Sequence, residues 1–165
     1  MWFIGTANND DSTFSISDKV YDRAAVLDLD RKCAPFVAED AQTAHITYAE
    51  LNRRFDDAKK KYSLSAKNRA NLLKLDAYLA ENFRVSFGNR IMGQIEAYVP
   101  IMLACGGSEN GALDDILSRK ILRKLEQVSP ALLRSSVPEL SRGLEELFGS
   151  LPMSQAVLSR LMKNV

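Results

Sequence analysis

The spacing of apolar positions changes character along the chain. Met1 to Ile4 run apolar without a break, and Gly5 with Asn8-Asn9-Asp10-Asp11 ends the run. A short apolar run closed by turn residues reads as a strand buried on both faces. Trp2–Ala7 is the first expected strand, and Ala24–Leu29, within "RAAVLDLD", is the second. Between them, "DDSTFSISDKVYDR" mixes turn residues with a short helix expected from Ser17 to Arg23. Two strands alone are marginal in water, so these need cover from helices or from further strands. Residues 31–45 read as a connector, with Pro35, small residues and no sustained period.

From residue 47 onwards the period is helical. Thr47-Tyr48-Ala49-Glu50 matches a capping box, and a helix from Tyr48 to Tyr62 should follow with Tyr48, Leu51, Phe55, Ala58 and Tyr62 on one face. A second helix is expected from Ala66 to Asn82, carrying Leu72, Leu75, Leu79 and Phe83. A third starts near Ser86 or Phe87 and carries Ile91, Ile95, Tyr98, Val99 and Met102. Pro100 lies inside the third and should kink or split it. "CGGSENG" reads as a turn in which Gly106 or Gly107 closes the helix. The clearest periodicity predicts a helix from Ala112 to Val128, with Leu113, Ile116, Leu117, Ile121, Leu125 and Val128 as its stripe and Asp114 and Asp115 in its first turn. Further short helices are expected at Pro130–Arg134, Pro138–Phe148 and Met153–Met162. The pattern is a small strand-containing start followed by a large helical region.

Composition adds mainly exclusions. The 165 residues carry a net charge of +1, which gives no overall attraction to nucleic acid or membrane. Cys33 and Cys105 show no metal-like or redox-like spacing, and His45 is the one histidine. No apolar run approaches membrane-spanning length, and no basic segment precedes an apolar one as in a secretory signal. The expectation is a soluble cytoplasmic protein. Arg53, Arg54, Lys59, Lys60, Lys61, Lys67 and Arg69 form a basic concentration partly offset by Asp56 and Asp57. It reads as a solvated face, with a DNA-facing patch as the alternative.

Three residues merit a chemical reading. Asn8 stands at the carboxyl end of the first strand, where it either closes an Asx turn or orients a water or phosphate oxygen. Arg23 follows the short helix and either pairs with Asp22 or Asp18 or reaches phosphate charge on a neighbouring subunit. Arg90, in "SFGNRIMGQI", sits in the first turns of a helix, where a cation is mildly disfavoured unless it meets solvent or a phosphate.

In that order these stretches resemble an AAA+ ATPase. "WFIGTANNDDSTFSISDKVYDRA" is similar to the sensor-1 strand and arginine-finger helix, with Gly5-Thr6-Ala7-Asn8 followed by Asp18 and Arg23. "VSFGNRIMGQIEAYV" resembles the lid helix that carries the sensor-2 arginine. "GALDDILSRKILRKLE" is similar to the late lid helix of the McrB-like and dynein-related branch. The resemblance covers most of residues 1–128. It implies a mainly α fold, a helical lid-type bundle preceded by a small two-strand remnant of an α/β P-loop NTPase core. The implied segments are 1–30 (core remnant), 31–63 (connector and helix) and 64–165 (helical lid with C-terminal helices). It also implies Asn8 and Arg23 in catalysis, Arg90 in nucleotide binding, and ATP or GTP with Mg²⁺ as cofactor of the complete enzyme.

Two departures stand out. Arg23 is flanked by Asp22 and Ala24, where the family often has further arginines. No G-x-x-x-x-G-K-[ST] occurs anywhere, so nothing in this sequence can cradle phosphates in the family's manner. The expectation is therefore the sensor-to-lid portion of an NTPase, inactive alone, whose partners are a P-loop half, other copies in a ring and a DNA-acting machine. The alternative is a free-standing helical adaptor or DNA/protein-binding module without catalysis.

Overall fold

The computed structural model describes residues 3–7, 18–21, 23–27, 29, 34–37, 40 and 43–163. The chain divides into two compact units, Met1–Lys32 and Cys33–Val165. The first unit holds α1 (Asp18–Tyr21), whose last turn closes when the amides of Arg23 and Ala24 donate to the Val20 carbonyl at 3.0 and 2.8 Å. Trp2, Ser17 and Asp28 lie outside the described residues. Among the described residues, 3–7 and 25–27 form no strand. Phe3 and Ile4 are 89% and 94% exposed, and Leu27 and Leu29 are exposed too. These apolar side chains lack the flanking layers that a buried strand requires.

The second unit is helical: α2 (Tyr48–Lys61), α3 (Ala66–Phe83), α4 (Asn89–Ala104), α5 (Glu109–Ile116), a π-helical segment (Leu117–Ile121), a 3₁₀ segment (Leu122–Gln127), α6 (Pro130–Phe148) and α7 (Pro152–Lys163). The expectation of a mainly α chain holds. One apolar core runs from Leu64 to Leu161, drawing Leu72, Leu75 and Leu79 from α3, Ile91, Ile95 and Val99 from α4, and Leu140 and Leu144 from α6. α2 lies against α4 and buries only Ala58 fully, so it forms the outer edge of the body.

Three expectations about helix continuity are corrected. Pro100 does not split α4, which runs through it. Pro100 is itself buried beside Val99, and packing on that face offsets the one backbone bond that proline removes. Pro130–Arg134 and Pro138–Phe148 are a single helix, α6. Leu133, Val137, Leu140, Leu144 and Phe148 form one buried stripe that carries the helix across Pro138. The expected helix from Ala112 to Val128 instead starts at Glu109 and changes type after Ile116. Its spacing explains the change. Leu113, Leu117, Ile121 and Leu125 recur every four residues, and all are fully buried. Each such step over-rotates an α-helix by about 40°, so a wider π turn is needed to keep the stripe on one side.

Several helix ends are closed by named side chains. Thr47, Ser65 and Ser108 each accept from an amide three residues on, at 3.1, 3.2 and 3.0 Å. After α4, Gly106 has φ +84°, and the amides of Gly106 and Gly107 donate to the carbonyls of Leu103 and Met102, a full Schellman closure. Asn71 and Asn110 donate to the Leu147 and Phe148 carbonyls at 2.6 and 2.7 Å, covering the end of α6. Glu109 accepts from the Ser65 amide at 2.7 Å. Asp114 is 4% exposed and accepts from the amides of Met153 and Ser154 at 2.8 and 2.7 Å. It caps α7 from another helix. Asp114 and Asp115 thus lie in the second half of α5, not in its first turn. Asp115 accepts from the Tyr98 hydroxyl at 2.8 Å and pairs with Arg119 at 2.7 Å. Burial, then the Asp115 hydrogen bond and charge, pushes the Tyr98 phenol up to about 12.

Asp114→Ala leaves the buried Ser154 amide and the part-buried Met153 amide without their acceptor. It is expected to lower unfolding free energy by about 2–4 kcal/mol in urea denaturation, with loss of hydrogen-exchange protection across α7. Unchanged protection at residues 153 and 154 would contradict this role.

Candidate functional site

The α3–α4 turn gathers the charged groups that bear on function. α3 ends at Phe83, and Arg84 adopts a left-handed conformation, φ 56°, its amide donating to the Leu79 carbonyl. A non-glycine residue in this region is uncommon and marks a tightly specified turn. Phe87 then plugs the core at 1% exposure, and its amide donates to Asp76 Oδ1 at 2.7 Å. Gly88 begins α4 with no side-chain cap. The first amides of an α-helix have no intrahelical acceptor, and those of Asn89 and Arg90 lie at the positive end of the helix dipole.

Arg90 is exposed in this first turn, as the sequence placed it. Two further cations belong to the same turn and were missed in the sequence. Arg84 is exposed at the end of α3. Lys124 arrives from the 3₁₀ segment, and its Nζ donates to the Ser86 carbonyl at 3.3 Å. That contact spans 38 positions, so no local pattern in the sequence marks it. Asp76 supplies the opposing carboxylate and is engaged by the Phe87 amide. A guanidinium in the first turn of a helix can meet an anion.

Arg23 is exposed just beyond α1, in the first unit. Asn8 lies outside the described residues. His45 is exposed ahead of α2. Among the described residues, no cluster of histidine, cysteine, aspartate or glutamate could hold a metal ion. Cys105 is an exposed free thiol, and Cys33 lies outside the described residues. Among the described residues, no helix is long and apolar enough to cross a membrane.

The basic face of α2 is the second charged surface. Arg53 and Arg54 pair with Glu50 at 2.8 and 3.1 Å, and Arg53 also reaches Asp57 at 3.1 Å. Glu50 therefore serves the arginines rather than completing the expected capping box. Lys59 meets Asp56 at 3.9 Å, Arg69 meets Glu96 at 2.6 Å, and Lys61 lies 5.2 Å from the centre of the Tyr62 ring. Lys60, Lys61 and Lys67 are exposed. Much of this charge is neutralised within the helix itself.

Residues 43–165 match a family described as a domain of unknown function (DUF8727), and the chain belongs to that family. The match spans α2 to α7. No curated protein and no solved structure matches the chain.

Glu50 is held down to about 2, first by its hydrogen bond to Arg53 and then by that to Arg54. Because the folded carboxyl is depressed below its ordinary 4.5, its contribution is complete above that value and is lost as pH falls towards 2. A carboxyl NMR titration should give a Glu50 midpoint near 2, and Arg53→Ala should move it up towards 4.5. A midpoint near 4.5 in the unaltered chain would show that the pairs do not persist in solution.

Proposed function

We propose that this member of the DUF8727 family is the sensor-and-lid portion of an AAA+-type NTPase, in which the helical body closes over a nucleotide held by a separate P-loop core. The observation that carries this is Arg90, exposed in the first turn of a helix whose start has no side-chain cap. A guanidinium at an open helix N-terminus is suited to a phosphate oxygen. Arg84 and Lys124 at the same turn support it. In the complete enzyme, ATP or GTP with Mg²⁺ would meet Arg90 from the lid, Asn8 would sit near the attacking water, and Arg23 would reach a neighbouring copy's nucleotide. The segments Trp2–Ala7 and Ala24–Leu29 would be strands of the core sheet, in keeping with the exposure of Phe3, Ile4, Leu27 and Leu29.

A second reading, a free-standing adaptor that binds DNA or protein, is favoured by the exposed lysines of α2 and the α2–α3 connection. DNA binding with a steep salt dependence, lost on neutralising Lys59, Lys60 and Lys61, would support it over the first.

The chain alone is expected to show no Mg²⁺-dependent ATP or GTP hydrolysis above background, since its sequence has no phosphate-cradling loop. Robust turnover in a pure sample would overturn the lid reading. Joined to an in-frame P-loop core encoded upstream, it should hydrolyse nucleotide, and Arg90→Ala should reduce the rate at least about tenfold, as expected for loss of a charge-assisted phosphate contact. A stop codon directly upstream, with no P-loop gene beside it, would contradict the proposal.

A further inference from the structure

We propose that the outer face of α3 is a contact surface for a second copy of this chain, the two α3 helices packing antiparallel about Leu73. This goes beyond the lid reading and does not rest on it.

Ala66, Ala70, Leu73, Ala77 and Ala80 follow one another along α3 at alternating steps of four and three residues. That is the spacing of the a and d positions of a heptad, which holds a narrow seam on one side of a helix. All five are exposed, and Leu73, at the middle of the series, is 58% exposed. The opposite face of the same helix carries Leu72, Leu75, Leu79 and Phe83 into the core. α3 therefore has two apolar faces, and the core covers one of them. Alanines alone on a solvent face need no more than helix propensity to explain them. An exposed leucine centred among four alanines, with every charge of α3 kept to the margins, fits a seam against another helix. Side chains as short as alanine let two backbones approach closely, and Leu73 supplies the one large apolar contact at the centre.

The marginal charges select the partner and its direction. One margin carries Lys67, Lys74 and Glu81 at seven-residue intervals, and the other carries Arg69 and Asp76. Antiparallel packing sets each margin against the same margin of the other copy. With Leu73 near the twofold axis, Lys67 of each copy meets Glu81 of the other. Both residues are exposed, and among the described residues no ion pair within the chain holds either of them. On the other margin, Arg69 already pairs with Glu96 at 2.6 Å and Asp76 accepts from the Phe87 amide. Lys67 and Glu81 thus carry the complementarity. Parallel packing would set opposite margins together, bringing Arg69 to Lys74 and Asp76 to Glu81, like charge against like. Lys74 lies nearest the axis and meets its own counterpart, an unfavourable contact within an otherwise matched seam. Because the same patch is used by both copies, the assembly closes as a dimer.

The test is sedimentation equilibrium of the full chain across a range of concentrations, with each variant checked for helical content by circular dichroism. The unaltered chain should show a reversible monomer–dimer equilibrium. Leu73→Asp, at an exposed position, should abolish the dimer and leave the helical content intact. Lys67→Glu and Glu81→Lys each place like charges at both symmetric contacts, and each should weaken the dimer about tenfold. An equimolar mixture of these two variants restores opposite charges at both contacts, and it should dimerise as the unaltered chain does. The chain carrying both substitutions should do the same, and Lys74→Gln should tighten the dimer. A chain that stays monomeric into the millimolar range overturns the proposal. So does a dimer that survives Leu73→Asp, or a mixture that associates no better than its two components alone.

Discussion

The carboxylate of Asp114 joins two helices that are far apart in sequence. It leaves α5 and closes the first turn of α7, where Leu151 and Pro152 offer no capping oxygen of their own. Buried at 4% exposure, it is satisfied by two backbone amides. A buried carboxylate without such partners would cost several kcal/mol, and the two α7 amides supply them. Glu109 and Asn110, at the start of the same helix, hold the start of α3 and the end of α6. Through these three residues α5 bonds the start of α3, the end of α6 and the start of α7.

The α3–α4 turn belongs to the same logic with one difference. Asp76 secures the Phe87 amide and Lys124 secures the Ser86 carbonyl, yet α4 starts on Gly88 without a side-chain acceptor. Two contacts hold the turn, and Gly88, Asn89 and Arg90 at the helix start are exposed. A recognition site for an anion benefits from this combination, because donors fixed before binding lose little entropy on binding. On α2, by contrast, Glu50, Asp56 and Asp57 answer much of the cationic charge within the helix, which leaves a weaker field for a partner.

The sequence was readable where one face of a helix meets one core. The period of Leu72, Leu75, Leu79 and Phe83 placed α3 within a residue of its observed end, and Thr47 marked the start of α2. The prolines misled because local propensity argued for breaks at Pro100 and Pro138, while the buried stripes on both sides of each carry the helix through. The π-helical turn was encoded in a spacing of four, close enough to the α period to pass as a regular helix. Arg90 was visible as a cation in a first turn. Arg84 and Lys124 were not, since their relation to it depends on a left-handed residue and on a contact spanning 38 positions. Asp114 looked like a helix-start charge because its acceptor role exists only once α7 has folded against α5.

Amide chemical-shift mapping of the isotopically labelled chain during addition of ATP tests the central claim most directly. The account predicts saturable shifts concentrated at residues 84–91 and at Lys124, with α2 unaffected. Shifts spread along the α2 lysines, or no saturable shift at the α3–α4 turn, would contradict it.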